Sequence, residues 1–77
     1  MNSHPTQIRA EMVANVLSIS VSVGDLIGKG DVLLLLESMK MEIPVLSEIP
    51  ATVVEIAVAP GDVIQEGDLL IRLEEKQ

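Results

Sequence analysis

Apolar and polar residues alternate along two stretches of this chain, and the two stretches match each other. In the first, Leu17, Ile19, Val21 and Val23 interleave with Ser18, Ser20 and Ser22; in the second, Val54, Ile56 and Val58 interleave with Glu55, Ala57 and Ala59. A period of two puts alternate side chains on opposite faces of a strand, so each stretch predicts a half-buried strand with its aliphatic set turned inward. Each is followed by a pair of Gly-Asp steps, Gly24-Asp25 and Gly30-Asp31, then Gly61-Asp62 and Gly67-Asp68. Glycine supplies the positive φ that a turn requires, and Pro60-Gly61 suits the central positions of a type II turn. Between the Gly-Asp steps, Ile27 and Ile64 are expected to plug the core from the loop. A further strand follows in each case, Val32–Leu36 and Leu69–Leu73. The unbroken apolar run of the first implies burial on both of its faces.

The match extends well beyond pattern. Residues 16–37 align without a gap to residues 53–74, an offset of 53 − 16 = 37, and 11 of the 22 pairs are identical. Two copies of one β unit predict two halves related by an approximate twofold axis. Each half covers the apolar face that the other cannot bury alone, and neither would be stable in isolation.

Composition supports this picture and narrows the function. Val and Ile together supply 18 of the 77 residues, a bias toward strands, and the expected fold class is all-β. There is no cysteine and no aromatic residue, so disulfides, thiolate chemistry and cysteine-type zinc sites are excluded and packing alone must hold a small core. The net charge of −7 argues against nucleic acid as a partner, since phosphate binding relies on clustered Lys and Arg. The longest apolar run, Val32–Leu36, is far too short to span a bilayer, so no membrane partner is expected. The N-terminus lacks the basic-then-apolar pattern of a secretory signal, and a cytoplasmic monomer is the expectation. Residues 1–7, which include His4, are expected to form a flexible tail. The four aspartates fit turn stabilisation better than a calcium cage, which needs several ligands converging within a few residues.

One octet stands apart. Glu37-Ser38-Met39-Lys40-Met41-Glu42-Ile43-Pro44 joins the two copies, and its position predicts the tip of a hairpin over residues 38–44, with Met39 and Lys40 as the central turn residues. Two-residue hairpins favour Asn-Gly or Asp-Gly because both central positions take positive φ. Met and Lys suit that conformation poorly, so turn stability does not explain them, and backbone strain of this kind gathers where function holds it.

Here the chain resembles the biotinyl domain of biotin-dependent carboxylases, the biotin carboxyl carrier family. The likeness rests on Glu37–Glu42, on the two Gly-Asp loops per half and on the internal repeat, and it covers about Ile8 to Glu74. It implies a flattened β-barrel, a barrel-sandwich hybrid of two four-stranded antiparallel sheets, with halves over about 8–37 and 45–74. It implies that Lys40 receives biotin through an amide bond formed by a biotin-protein ligase, with Met39 and Met41 as residues the ligase inspects and Ser38 and Glu37 flanking them. The attached arm would carry CO2 between a biotin carboxylase and a carboxyltransferase, while the domain itself catalyses nothing. The family usually has alanine at the position of Ser38 and glycine at those of Ala14 and Ala51, and the latter two departures put local turn geometry in question. With neither an inserted thumb nor a carboxylase domain, the chain resembles the free-standing, single-domain members. The alternatives are a lipoyl carrier, which shares the fold but usually has Asp before the lysine and Ala after it, and an unmodified hammerhead interaction module.

Overall fold

A computed structural model of the protein describes residues 3–76. Its elements, all strands, are β1 (Ser3–Arg9), β2 (Ala14–Ile19), β3 (Leu26–Ile27), β4 (Val32–Ser38), β5 (Met41–Leu46), β6 (Ala51–Ile56), β7 (Val63–Ile64) and β8 (Leu69–Lys76). They form two four-stranded antiparallel sheets, ordered β1-β8-β6-β3 and β5-β4-β2-β7. Adding 37 to the residues of β1 through β4 gives β5 through β8 within a residue or so at each end. This exchange turns one sheet order into the other, so the duplicated sequence is a duplicated sheet and the fold is a flattened barrel-sandwich.

The backbone hydrogen bonds that close the loops repeat at the same offset. Gly24 N donates to Val53 O at 2.7 Å as Gly61 N donates to Val16 O at 2.8 Å, and Ala10 N donates to Asp68 O at 2.8 Å as Ser47 N donates to Asp31 O at 2.9 Å. The aspartates behave as turn residues. Asp25, Asp31, Asp62 and Asp68 each accept, through Oδ2, the backbone N–H of the residue three positions earlier, at 2.8–2.9 Å. Pro60-Gly61 occupies the centre of such a turn: Asp62 N donates to Ala59 O, and Gly61 has φ +94°. No atom would lie within 4 Å of a Cβ at Gly61, so the cost of adding one is conformational alone. Gly61→Ala is accordingly expected to destabilise the domain by about 1–2 kcal/mol, read as a lower denaturation midpoint with an unchanged m-value; equal stability would show that the turn is not held in this conformation.

The core is where the repeat places it, but the first aliphatic residue of each alternating stretch turns outward and the residue before it is buried instead. Val16, Leu33, Leu34 and Leu36 of one sheet and Val53, Leu70, Ile71 and Leu73 of the other are buried, with Ile27 and Ile64 plugging the ends as expected. Leu17, expected inside, is 38% exposed, and so is its counterpart Val54. The cause is a bulge: the register shifts between Val16 and Ser18 against β4, and between Val53 and Glu55 against β8. One extra residue there ends the strict alternation and turns Leu17 and Val54 outward. Val23 is also exposed, because it sits in the Ser22–Asp25 turn beyond the end of β2. A second pair of shifts explains the apolar run of β4. Leu33 is bulged against β5 and Leu70 against β1, so Leu33 and its neighbour Leu34 are both buried; Leu35 is half-buried and Val32 exposed.

Two boundaries are corrected. The flexible tail expected over residues 1–7 is, from Ser3 onward, strand β1, paired from Ser3↔Lys76 to Arg9↔Leu69; residues 1 and 2 lie outside the described residues. Main-chain pairing to β8 supplies what side-chain patterning does not show, and a strand at a sheet edge tolerates Pro5. The linking segment expected over 38–44 contracts to a turn at Met39 and Lys40, with β5 beginning at Met41. Ala14 and Ala51 raise no turn question, since each begins a strand and is buried in the core.

Candidate functional site

The turn between β4 and β5 has Met39 at φ 53° and Lys40 at φ 67°. Among the described residues these are the non-glycine positions with positive φ, and together they make the mirror-image two-residue turn whose twist matches the flanking strands. Left-handed backbone costs an L-residue with a side chain roughly 1–2 kcal/mol, so the tip is held by the ladder beneath it and not by its own preferences. The ladder runs Ser38↔Met41, Glu37↔Glu42, Leu36↔Ile43. Leu36 is buried, so the hairpin stands on the core at its third rung. Met39→Asn is expected to stabilise the domain by about 1 kcal/mol, measured by thermal or denaturant unfolding; a loss of stability would mean that the exposed thioether makes a contact the fold depends on.

The side chains at the tip point into solvent. Met39 is 89% exposed, Met41 60%, and Lys40 is exposed and makes no ion pair among the described residues. Ser38 and Glu37 are half-buried. The Ser38 hydroxyl donates to Val13 O at 3.1 Å, tying the end of β4 to the segment before β2, a bond that alanine cannot make. Glu37 faces Glu42 directly across the ladder, a like-charge pairing that opposes the hairpin by up to about 1 kcal/mol. The five residues expected at the site therefore lie on one turn and its first two rungs.

The sheet adds residues that the octet does not indicate. Glu37 is the register partner of Asn15 on β2, and Asn15 that of Val63 on β7. With Glu42 this makes one rung across all four strands of the sheet. Their neighbours Ala14, Val16, Ile64 and Leu36 are buried, so the rung faces outward. Asn15, Glu37, Val63, Ser38 and Met39 line a shallow cleft together with Met12, Val13 and Ala14. The signal for it in the sequence is weak, because β2–β7 pairing joins residues 48 positions apart (63 − 15 = 48). In the other half the corresponding rung is Pro5, Glu74, Thr52 and Leu26. The counterpart of the tip itself is the pairing of Ser3 with Lys76, so the duplicated fold presents one such turn.

An exposed, unpaired amine on a strained turn can be acylated without unburying a charge, so the residues present fit a covalently attached group. No helix among the described residues is long and apolar enough to cross a membrane. Comparison with known proteins bears on what the group is. A biotinylated protein, TB7.3 homolog, of Mycobacterium leprae is 75% identical over 40 residues, which are 52% of this chain and 56% of that protein. The chain thus spans about half the length of the curated relatives it matches. A single-chain, multi-domain long-chain acyl-CoA carboxylase superposes with a TM-score of 0.88 at 26% identity, over 95% of this chain and 7% of that one. The lipoyl domain of the 2-oxoglutarate dehydrogenase complex from Azotobacter vinelandii superposes with a TM-score of 0.82 at 23% identity, over 92% of this chain and 98% of that domain, a likeness of fold. The family described as biotin-requiring enzyme matches residues 6–73. That span takes in both halves and the turn between them, and the chain belongs to the biotin/lipoyl attachment family.

Proposed function

We propose that Lys40 is the attachment point of biotin, joined by a biotin-protein ligase, and that the domain is the carrier of a biotin-dependent carboxylase system. A carrier of this family is not itself a catalyst. The observation that carries the assignment is the turn: one lysine, flanked by two exposed methionines, in a backbone conformation that neither Met39 nor Lys40 favours. Lys40 Nζ, having given up its proton, would attack the activated carboxyl carbon that the ligase supplies, forming the amide and expelling the activating group. Met39 and Met41 offer the ligase an apolar pair on either side of the amine, and Ser38 holds the base of the turn against Val13. Attachment removes one positive charge, taking the net from −7 to −7 − 1 = −8. The bound group would carry carboxyl between a biotin carboxylase and a carboxyltransferase. The domain's part is to keep the tether short and the tip rigid, which raises the local concentration of the carried group to roughly millimolar.

The test is intact mass after co-expression with a biotin-protein ligase, with parallel co-expression with a lipoate ligase. A gain matching one amide-linked biotin, in the first sample alone, is expected. A gain in the lipoate sample alone would transfer the assignment to the lipoyl carriers, and no gain in either would leave an interaction module.

A further inference from the structure

We infer that the cleft beside the turn is a resting site for the biotin ring carried by this domain's own Lys40, an inference that rests on Lys40 being the attachment point. Met39, the neighbour of Lys40, forms one wall of the cleft, so any group on Lys40 is tethered at its edge. The opposite wall is Val63, on β7. From β4 to β7 is two strand spacings, about 10 Å, and a lysine side chain extended by a valeryl chain is longer than that.

The chemistry of the lining matches the ring. Biotin has an apolar chain and thioether ring at one side and, at the other, a ureido group with two N–H donors and one carbonyl acceptor. Val13, 62% exposed, and Val63, 67% exposed, are apolar side chains that water gains nothing by covering. Between them on the outward rung are a half-buried carboxylate, Glu37, which can only accept, and the Asn15 amide, which can donate to the carbonyl. Glu37 has no ionic partner among the described residues. Its carboxylate is therefore free to take the ureido N–H groups.

Tethering makes weak affinity sufficient. At an effective concentration of about a millimolar, a ring whose own dissociation constant for the cleft is also about a millimolar rests there half of the time. Such a ring is withheld in proportion from any external binder. This gives the domain a way to shield its cargo between encounters while releasing it at little cost to an enzyme that binds more tightly.

The pseudo-twofold supplies an internal control. Leu26 is the counterpart of Val63, is 79% exposed, and has no hairpin turn carrying a tethered group beside it, because the matching position holds the Ser3↔Lys76 strand pair. The experiment compares methyl and side-chain amide NMR spectra of the intact chain before and after biotinylation, with attachment verified by mass. Expected are shifts of the Val13 and Val63 methyls and the Asn15 amide, nuclear Overhauser contacts from ring protons to those methyls, and an unmoved Leu26. In the biotinylated double variant Val13→Ser, Val63→Ser, streptavidin capture should quicken about twofold, as the resting half of the ring is freed. Both positions are exposed, so the variant retains the fold. A biotinylated chain whose Val13, Val63 and Asn15 signals stay in place overturns the resting site and leaves the carrier function standing. A chain that never gains the mass of biotin overturns both.

Discussion

Lys40→Arg abolishes biotin uptake and leaves the fold intact. Both halves of that result follow from where the residue sits. Lys40 is exposed, unpaired and at the outermost position of a two-residue turn, so the replacement meets no neighbour and removes no buried contact. Surface substitutions of this kind change stability by about 0.5 kcal/mol or less. Arginine keeps the positive charge and most of the length, so an electrostatic contribution of the tip to ligase encounter is preserved. What it cannot do is lose its proton at any pH a protein survives, and without a neutral amine no amide forms. The expected loss is complete, not partial. Intact mass after ligase co-expression should show no gain for the variant and a full gain for the parent, with coincident unfolding curves. Lys29 and Lys76 are the remaining lysines. Uptake by the Lys40→Arg chain would place the attachment on one of them and overturn the reading of the turn.

How much of this was legible beforehand depends on the distance over which each signal acts. The duplication was visible because 11 of 22 aligned pairs are identical, and it fixed the offset that later relates the sheets, the loop hydrogen bonds and the turns. The turn was visible because the octet falls between the copies, where a repeat of antiparallel strands must cross from one half to the other. Strand β1 was not visible. Ser3 to Gln7 is polar and contains a proline, and an edge strand held mainly by backbone pairing to β8 leaves no alternation to read. The bulges were hidden for a related reason. Val16-Leu17 and Val53-Val54 are apolar doublets, and a period-two reading must assign one of each doublet inward; it chose Leu17 and Val54, whereas the structure buries Val16 and Val53. The outward rung of Glu37, Asn15 and Val63 was out of reach altogether, since it is assembled by which strand pairs with which and not by any local sequence feature.

Leu73→Ala and Leu36→Ala should each lower the stability of the domain by about 2–5 kcal/mol, and by nearly the same amount as each other. Both leucines are deeply buried, at the same place in the two copies and in the inner strands β8 and β4, each next to an edge strand of its sheet. Each removes the same group from a core shared by both sheets, and the surrounding ladders limit how far the backbone can move to refill the space. A domain of 77 residues has roughly 4–12 kcal/mol in total, with no disulfide to limit the unfolded chain. Either substitution therefore consumes a large share, and the melting temperature should fall by at least about 8 °C, given roughly 4–8 °C per kcal/mol at this size. The double variant, whose summed cost approaches or exceeds the total, is expected to be unfolded at room temperature. Differential scanning calorimetry with circular dichroism would decide it. A large loss for one leucine and tolerance of the other would mean that the core is carried by one half, and that the symmetry of the backbone is not matched by symmetry in its energetics. Equal losses would tie the rigidity of the Lys40 turn to both halves together, because the third rung of its ladder is Leu36 and the face Leu36 packs on belongs to the opposite sheet.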